Sequence, residues 1–289
     1  MSEIFLCENL SKTYGKHVIF ENLNFSIRQG EIFVVLGKNG AGKSTLIKIL
    51  LGMIKASSGA ISYRGEKVKT NENFYRNVSA VLESVENVYP FLSGWENIRY
   101  FLSMSGKTIQ NEKERMNELI ERFNMKEAIH KPVGTYSRGM QQKLAIICCL
   151  ARNTETIFLD EPTLGLDFEA NQEMMNIISD LAKKEKKTII LTSHQADVLD
   201  NLSDTVLLLN NHKQLYCGKY KEFIKQYKPQ SFELQTVQNN IVQKKTFPTS
   251  ESASEELSKL LHAGHTLLEF HEREKTIEDI LLEVYSENN

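Results

Sequence analysis

The 289-residue chain is poor in several things, and each shortage excludes a class of protein. Cysteine occurs only as Cys7, Cys148, Cys149 and Cys217. None is spaced as C-x-x-C, which argues against a disulfide framework or a zinc ribbon. Cys148 and Cys149 sit inside an apolar run and read as buried helix residues, and reduced thiols fit a cytosolic protein. Net charge is nearly absent: 35 basic and 37 acidic residues leave −2. No global pull toward nucleic acid or anionic lipid is therefore expected. Long apolar runs are missing too. The longest, from Leu144 to Ala151, falls far short of the ~20 residues that cross a bilayer. The opening MSEIFLCENL lacks the basic-then-apolar order of a signal peptide. If the protein works at a membrane, another chain supplies the spanning helices. Internal repeats and low-complexity tracts are also lacking.

What remains is an ordinary soluble composition, 41% hydrophobic and 25% charged. Its length suits one large domain with a smaller companion. Short apolar segments predict strands at Ile4–Cys7, Leu23–Ile27, Ile32–Leu36, Gly59–Tyr63 and Ser79–Leu82, with Gly15 and Gly30 as punctuation. A helix is expected over Leu46–Leu51. Between about residues 84 and 152 the texture turns helical. Met116, Leu119, Ile120 and Phe123 fall on one face at i, i+3, i+4 and i+7. Strand and helix then alternate again: strands Thr156–Leu159, Thr188–Thr192 and Thr205–Leu209, with a helix at Asn171–Ala182. Apolar strands alternating with helices predict an α/β fold with a mostly parallel sheet and a helical insertion. The lysine-rich turn Lys183–Lys187 reads as a solvated loop at a helix C-terminus rather than a lipid patch. After Gln226 the polar stretch Lys228-Pro229-Gln230-Ser231 suits a linker. The expected domains are thus 1–226 and a small α+β appendage over 227–289, with strands at Phe232–Val237 and Thr266–Phe270 and helices at Glu255–His262 and Thr276–Tyr285.

The strongest chemical signal is Gly37-Lys38-Asn39-Gly40-Ala41-Gly42-Lys43-Ser44, followed by Thr45, which matches G-x-x-x-x-G-K-[ST] between a strand and a helix. Glycines let successive N–H groups curl around one anion, and the helix N-terminus adds its dipole. Lys43 would reach the β- and γ-phosphates, and the Ser44 hydroxyl would ligate Mg²⁺. A second signal is the strand Thr156–Leu159 ending in Asp160 and Glu161, which puts carboxylates at the sheet edge where α/β folds bind ligands. Asp160 can hold Mg²⁺ and Glu161 can orient and deprotonate a water. Alone, an apolar strand before Asp-Glu would be an ordinary turn; beside a phosphate loop it reads as catalytic.

Tyr136-Ser137-Arg138-Gly139-Met140-Gln141-Gln142-Lys143 resembles the signature sequence of the ATPase subunits of ABC transporters and lies ahead of the acid-tipped strand, as it does there. Asp167 in Leu164-Gly165-Leu166-Asp167 resembles that family's D-loop, His194 its switch histidine, and Tyr14 the aromatic that stacks on adenine. The resemblance covers about residues 1–225. It implies a P-loop ATPase using ATP and Mg²⁺, paired head to tail as a homodimer or with a second ATP-binding subunit, so that Ser137 and Gly139 reach ATP held by the partner's phosphate loop. Taken by themselves, Ser137 and Gly139 read as a helix N-cap, Tyr14 as a loop aromatic, and His194 as a surface histidine.

Two departures from the family pattern stand out. Glu83 occupies the place of the usual glutamine, where it would still ligate Mg²⁺ and take part in catalysis. Arg138 and Met140 replace the commoner glycine and glutamine of the signature, a variant similar to that of exporter subunits. The ending Thr276–Leu281 is also similar to that of such subunits. The implied function is energising export of a drug, antibiotic peptide or lipid- or polysaccharide-like cargo through a separate membrane-spanning permease, at the cytoplasmic face. An importer ATPase, or a soluble ABC-type ATPase acting on ribosomes or DNA, is the alternative. The latter class usually carries two cassettes or coiled coils, absent here, and no basic stripe suggests nucleic acid.

Overall fold

The computed structural model describes residues 2–68, 72–82, 87–195, 197–227, 231–238, 241–273 and 276–287. Glu83 and the linker residues Lys228, Pro229 and Gln230 lie outside the described residues. The chain divides into two compact units, Met1–Lys219 and Tyr220–Asn289. The division falls earlier than the expected one after Gln226, because residues 220–227 form a helix that groups with the second unit.

In the first unit the strands are β1 (Glu3–Tyr14), β2 (His17–Arg28), β3 (Ile32–Gly37), β4 (Ser58–Tyr63), β5 (Glu66–Lys67), β6 (Val78–Val81), β7 (Thr156–Asp160), β8 (Thr188–Ser193), β9 (Thr205–Asn210) and β10 (Lys213–Lys219). The helices are α1 (Lys43–Leu50), α2 (Glu72–Asn77), α3 (Gly94–Met104), α4 (Ile109–Arg122), α5 (Arg138–Ala151), α6 (Phe168–Lys183) and α7 (Asp197–Leu202). A six-stranded sheet has the order β10-β9-β3-β8-β7-β6, parallel throughout except for β10. Every residue of β3, β7, β8 and β9 is buried. That is why these strands read as unbroken apolar runs: both faces of a parallel sheet are covered.

A second, antiparallel sheet of order β2-β1-β4-β5 packs on the first through aromatic contacts. Phe25 stacks on Phe33 at 5.5 Å between ring centroids, and Phe5 meets Phe158 edge-on at 5.8 Å. All four rings are at most 5% exposed. Each such side chain contributes about 1.5–3 kcal/mol of hydrophobic stabilisation, so the contact fixes one sheet on the other.

The helical insertion follows its periodicity, with Met116, Leu119, Ile120 and Phe123 all buried. Helix α3 begins at a reciprocal Ser93–Glu96 capping box. The half-buried Trp95 donates its backbone N–H to Ile129 O at 2.8 Å and lies beside His130, tying α3 to the segment that follows α4. The lysine-rich turn is held by its neighbours. Lys184 pairs with Asp180, Lys187 donates to Asn153, and Glu185 receives both Arg115 and Arg122.

The second unit contains α8 (Tyr220–Tyr227), β11 (Ser231–Gln238), β12 (Ile241–Phe247), α9 (Ser250–His262), β13 (Thr266–Arg273) and α10 (Ile277–Glu287). Its sheet is antiparallel with β11 in the centre, and α9 packs against it. Ile277, Ile280, Leu281, Val284 and Tyr285 form the buried stripe of α10. Among the described residues no helix is long and apolar enough to cross a membrane.

Candidate functional site: a phosphate-loop cleft and a second cleft beside it

The parallel strands β3, β7 and β8 all end at the same edge of the sheet, and the chemistry gathers there. From β3 the chain turns through a loop into α1. At Gly37 a Cβ would fall 2.7 Å from Leu209 O, so any side chain would push the loop off β9. Gly40 and Gly42 have φ of 83° and 94°, a region open to glycine and strained for other residues. Gly42 caps α1 without any side-chain hydrogen bond, and a first turn built that way offers its N–H groups to an anion.

Lys43 folds back over the loop. Its ammonium donates to Gly37 O at 2.8 Å and pairs with Glu161 Oε1 at 3.1 Å, with both side chains under a tenth exposed. The other Glu161 oxygen lies 2.9 Å from His194 Nδ1. The result is a three-residue chain, Lys43–Glu161–His194, assembled from α1, the end of β7 and the end of β8.

Thr192 on β8 holds the two acids in place. It sits opposite Asp160 in the β7–β8 register, donates its hydroxyl to Asp160 Oδ1 at 2.6 Å, and accepts the Glu161 N–H at 2.9 Å. Glu161 takes φ of 52°, unusual for a non-glycine residue, and the Thr192 contact helps hold it there. Ser44 also donates to Asp160 Oδ1, at 3.1 Å. Asp160 Oδ2 is buried and has no hydrogen-bond partner among the described residues. An anionic oxygen in that position beside a hydroxyl is suited to a hard cation such as Mg²⁺.

Asn39, Gly40, Ala41, Gly42, Lys43, Ser44 and Thr45 line a cleft of about 560 Å³ together with Glu161, Leu164 and His194. Lys38 belongs to the loop without lining the cleft. Tyr14 does not line it either. That side chain is 51% exposed, with the Lys12 ammonium 4.4 Å from its ring centre. His17 and Ile19, which sequence reasoning passed over, form the wall instead. A strand period would not have found them, because the β1–β2 pairing shifts register at Ile19, between Lys12↔Phe20 and Thr13↔Val18.

Ser137, Gly139 and Asp167 are gathered elsewhere, around a cleft of about 390 Å³ that shares no lining residue with the phosphate-loop cleft. Ser137 caps α5 by accepting the Met140 N–H at 3.2 Å, and Asp167 caps α6 by accepting the Ala170 N–H at 2.8 Å. The Arg138 guanidinium rests on Gly165, where a Cβ would meet it at 3.0 Å.

A glycine loop between strand and helix, a lysine bent over it and two carboxylates on the neighbouring strand define a P-loop nucleotide-hydrolysing α/β fold. Comparison with known proteins narrows this. The model of the ABC transporter family matches residues 20–164. The chain is 36% identical over 203 residues to the uncharacterized ABC transporter ATP-binding protein YdbJ of Bacillus subtilis, a match covering 70% of this chain and 65% of that protein. It is 36% identical over 216 residues to the bacitracin transport ATP-binding protein BcrA of Bacillus licheniformis, covering 74% and 69%. It is 31% identical over 221 residues to the Nod factor export ATP-binding protein I of Ralstonia nicotianae, covering 76% and 68%. Among solved structures, cbiO1 of Clostridium perfringens, part of the ABC transporter complex cbiONQ, superposes with a TM-score of 0.69 at 25% identity, over 78% of this chain and 92% of that one. The chain belongs to the ABC transporter ATP-binding family, whose cassettes are ATPases coupled to transport.

Proposed function

We propose that the chain is the ATP-hydrolysing subunit of an exporter, seated at the cytoplasmic face of the membrane on a separate spanning permease. The observation that carries this reading is the contact chain Lys43–Glu161–His194 beside the Ser44–Asp160 pair, at the mouth of the glycine loop. ATP lies along the loop, with its phosphates on the N–H groups of the first turn of α1 and on Lys43. The γ-phosphate competes with Glu161 for the Lys43 ammonium. As that ion pair loosens, Glu161 Oε1 becomes free to orient a water and accept its proton. His194 stays anchored through Nδ1 and turns its other ring nitrogen toward the γ-phosphate and the attacking water. Attack is in line and ADP is the leaving group.

Mg²⁺ would be held by Ser44 and Asp160, with Glu83 as a third ligand. Bound there, it would supply charge neutralisation on the phosphates. The site is completed by Ser137 and Gly139 of a second ATP-binding chain, an identical copy or a related subunit. The reading is supported by their grouping, within one chain, in a different cleft from the loop. ATP binding closes the pair and hydrolysis opens it, which gives the permease two states to follow. Export is favoured by the Ser-Arg-Gly-Met signature, by the similarity to proteins named for bacitracin transport and Nod factor export, and by the small appendage from Tyr220 onward.

The test is to recover the tagged chain from membranes in the presence of ATP and ask what accompanies it. A polytopic membrane protein should co-purify, and ATP turnover should require pairing of two cassettes. A chain that hydrolysed ATP at the same rate as a monomer, with no membrane protein attached, would overturn the scheme.

A further inference from the structure

The wall of the phosphate-loop cleft opposite the carboxylates is built by the β1–β2 hairpin, and its placement on the loop is tight. A Cβ on Gly42 would lie 2.8 Å from Ile19 Cγ2 and 3.1 Å from Phe20 Cδ1. The absence of a side chain at Gly42 therefore does two things. It permits the left-handed turn into α1, and it lets β2 close directly onto the loop. Ile19 marks the point of contact. His17 lies two residues nearer the hairpin tip and lines the same cleft as Ile19, with the register shift of the β1–β2 pairing falling at Ile19. At about 3.3 Å per residue, its Cα stands roughly 6–7 Å beyond that of Ile19.

The His17 ring is braced by a second hairpin. It meets His212 edge-on, at 6.2 Å between centroids. His212 belongs to the tight turn Asn211–His212 between β9 and β10, where both residues have positive φ, 45° and 67°. Its ring Nδ1 lies 3.2 Å from Ile19 O, and its carbonyl accepts the Glu21 N–H at 2.9 Å. The turn is thus fastened to β2 at two points around Ile19, and it presents its imidazole to that of His17.

We propose that His17 is a nucleotide-binding residue that contacts the α-phosphate and ribose end of the bound nucleotide, with His212 as its positioning partner. This rests on the reading that ATP occupies the phosphate-loop cleft. The γ end of the triphosphate is set by Lys43, Glu161 and His194, and the middle by the loop N–H groups. A phosphate chain laid between those groups leaves the loop past Ile19 and His17. The aromatic expected to meet the base, Tyr14, is the register partner of His17 across the hairpin. His17 therefore stands between base and phosphates, where an imidazole N–H can donate to a phosphate or ribose oxygen. Such a contact is present with ATP and with ADP, so it belongs to binding and not to the hydrolytic step.

The experiment measures binding of ADP and of inorganic pyrophosphate by calorimetry, and steady-state ATP hydrolysis, for the full chain and its variants. His17→Ala should weaken ADP about tenfold and raise KM for ATP by a similar factor, with kcat unchanged, the size expected for one charge-assisted hydrogen bond. Pyrophosphate should take the β- and γ-positions against the loop N–H groups and Lys43, leaving the α-position and the nucleoside end empty, and so should bind as before. His17→Asn, which keeps a donor, should recover part of the loss, and His212→Ala should give a smaller loss in the same direction. Unchanged ADP affinity in His17→Ala would overturn the proposal. So would an equal loss for pyrophosphate, because His17 would then be shaping the loop as a whole. A wild-type chain that bound neither ligand would instead overturn the underlying reading of the cleft.

Discussion

The phosphate-loop cleft and the Ser137–Asp167 cleft use similar residues and satisfy them in opposite ways. Around the phosphate loop, polar groups find partners far away in sequence. Ser44 meets Asp160, Lys43 meets Glu161, and Thr192 holds both acids. In the second cleft, Ser137 and Asp167 each accept an N–H three residues further on, in their own helices. A cap of that kind forms in any helix, folded domain or not. The first network exists only once β3, β7 and β8 are in register, so the fold itself sets its geometry. Among the described residues, the side-chain hydrogen bonds that Ser137 and Asp167 make are these local caps. The difference teaches that the fold builds one cleft from contacts between distant elements, whereas the other is assembled from two separate helix caps, which the proposed reading completes with a second cassette.

The sharpest way to break this contrast is at Glu161. Glu161→Gln keeps shape and hydrogen bonding to Lys43 and removes the base. Turnover should fall by about 10²–10⁴-fold, the usual contribution of a positioned acid or base. ATP should still bind, and a stable pair of cassettes should accumulate on size exclusion. Undiminished phosphate release would demote the Lys43–Glu161–His194 chain to a structural contact.

Thr192→Val probes the network one step back. Valine matches the shape of threonine and leaves the Glu161 N–H without a partner and Asp160 Oδ1 with Ser44 alone. Stranding a buried group of this kind costs about 1–3 kcal/mol. The loss should be visible in urea denaturation, together with slower hydrolysis from a misplaced Glu161. If stability held and only hydrolysis fell, Thr192 would be aiming the carboxylate without supporting the fold.

What was legible in the sequence follows the same division. The phosphate loop could be read because glycines with positive φ and a lysine at fixed spacing have few other uses. The core strands could be read because burial on both faces leaves a continuous apolar run. The strands β10 and β12 gave no such signal: Lys213-Gln214-Leu215-Tyr216-Cys217-Gly218-Lys219 and Ile241–Phe247 lie at sheet edges and keep polar residues toward solvent. Thr192 looked like any β-branched strand residue. Only the register of β7 against β8 places it opposite Asp160, and register is a property of two segments that neither displays alone. His17 was hidden for the same reason, since its importance comes from what Ile19 touches. The motif that named Tyr14 lies on the same hairpin as His17 and Ile19 and does not show which of its side chains lines the cleft.

The smallest effect expected is at Ser137, and it separates the two clefts most cleanly. Its hydroxyl accepts the Met140 N–H at the start of α5, so Ser137→Ala should cost about 1 kcal/mol of stability. ADP binding to a single chain should not change, because Ser137 does not line the phosphate-loop cleft. ATP-driven pairing should weaken, because in the proposed pair the lost hydroxyl also faces the partner's γ-phosphate. Ser137→Asp then distinguishes cap from contact. Aspartate caps as well as serine, so the stability loss should disappear. Its carboxylate would repel the incoming phosphate, so pairing should become weaker still. If Ser137→Asp instead restored both stability and pairing, Ser137 would be a helix cap and nothing more, and the second cleft would have to bind its partner through Gly139, Arg138 and Asp167 alone.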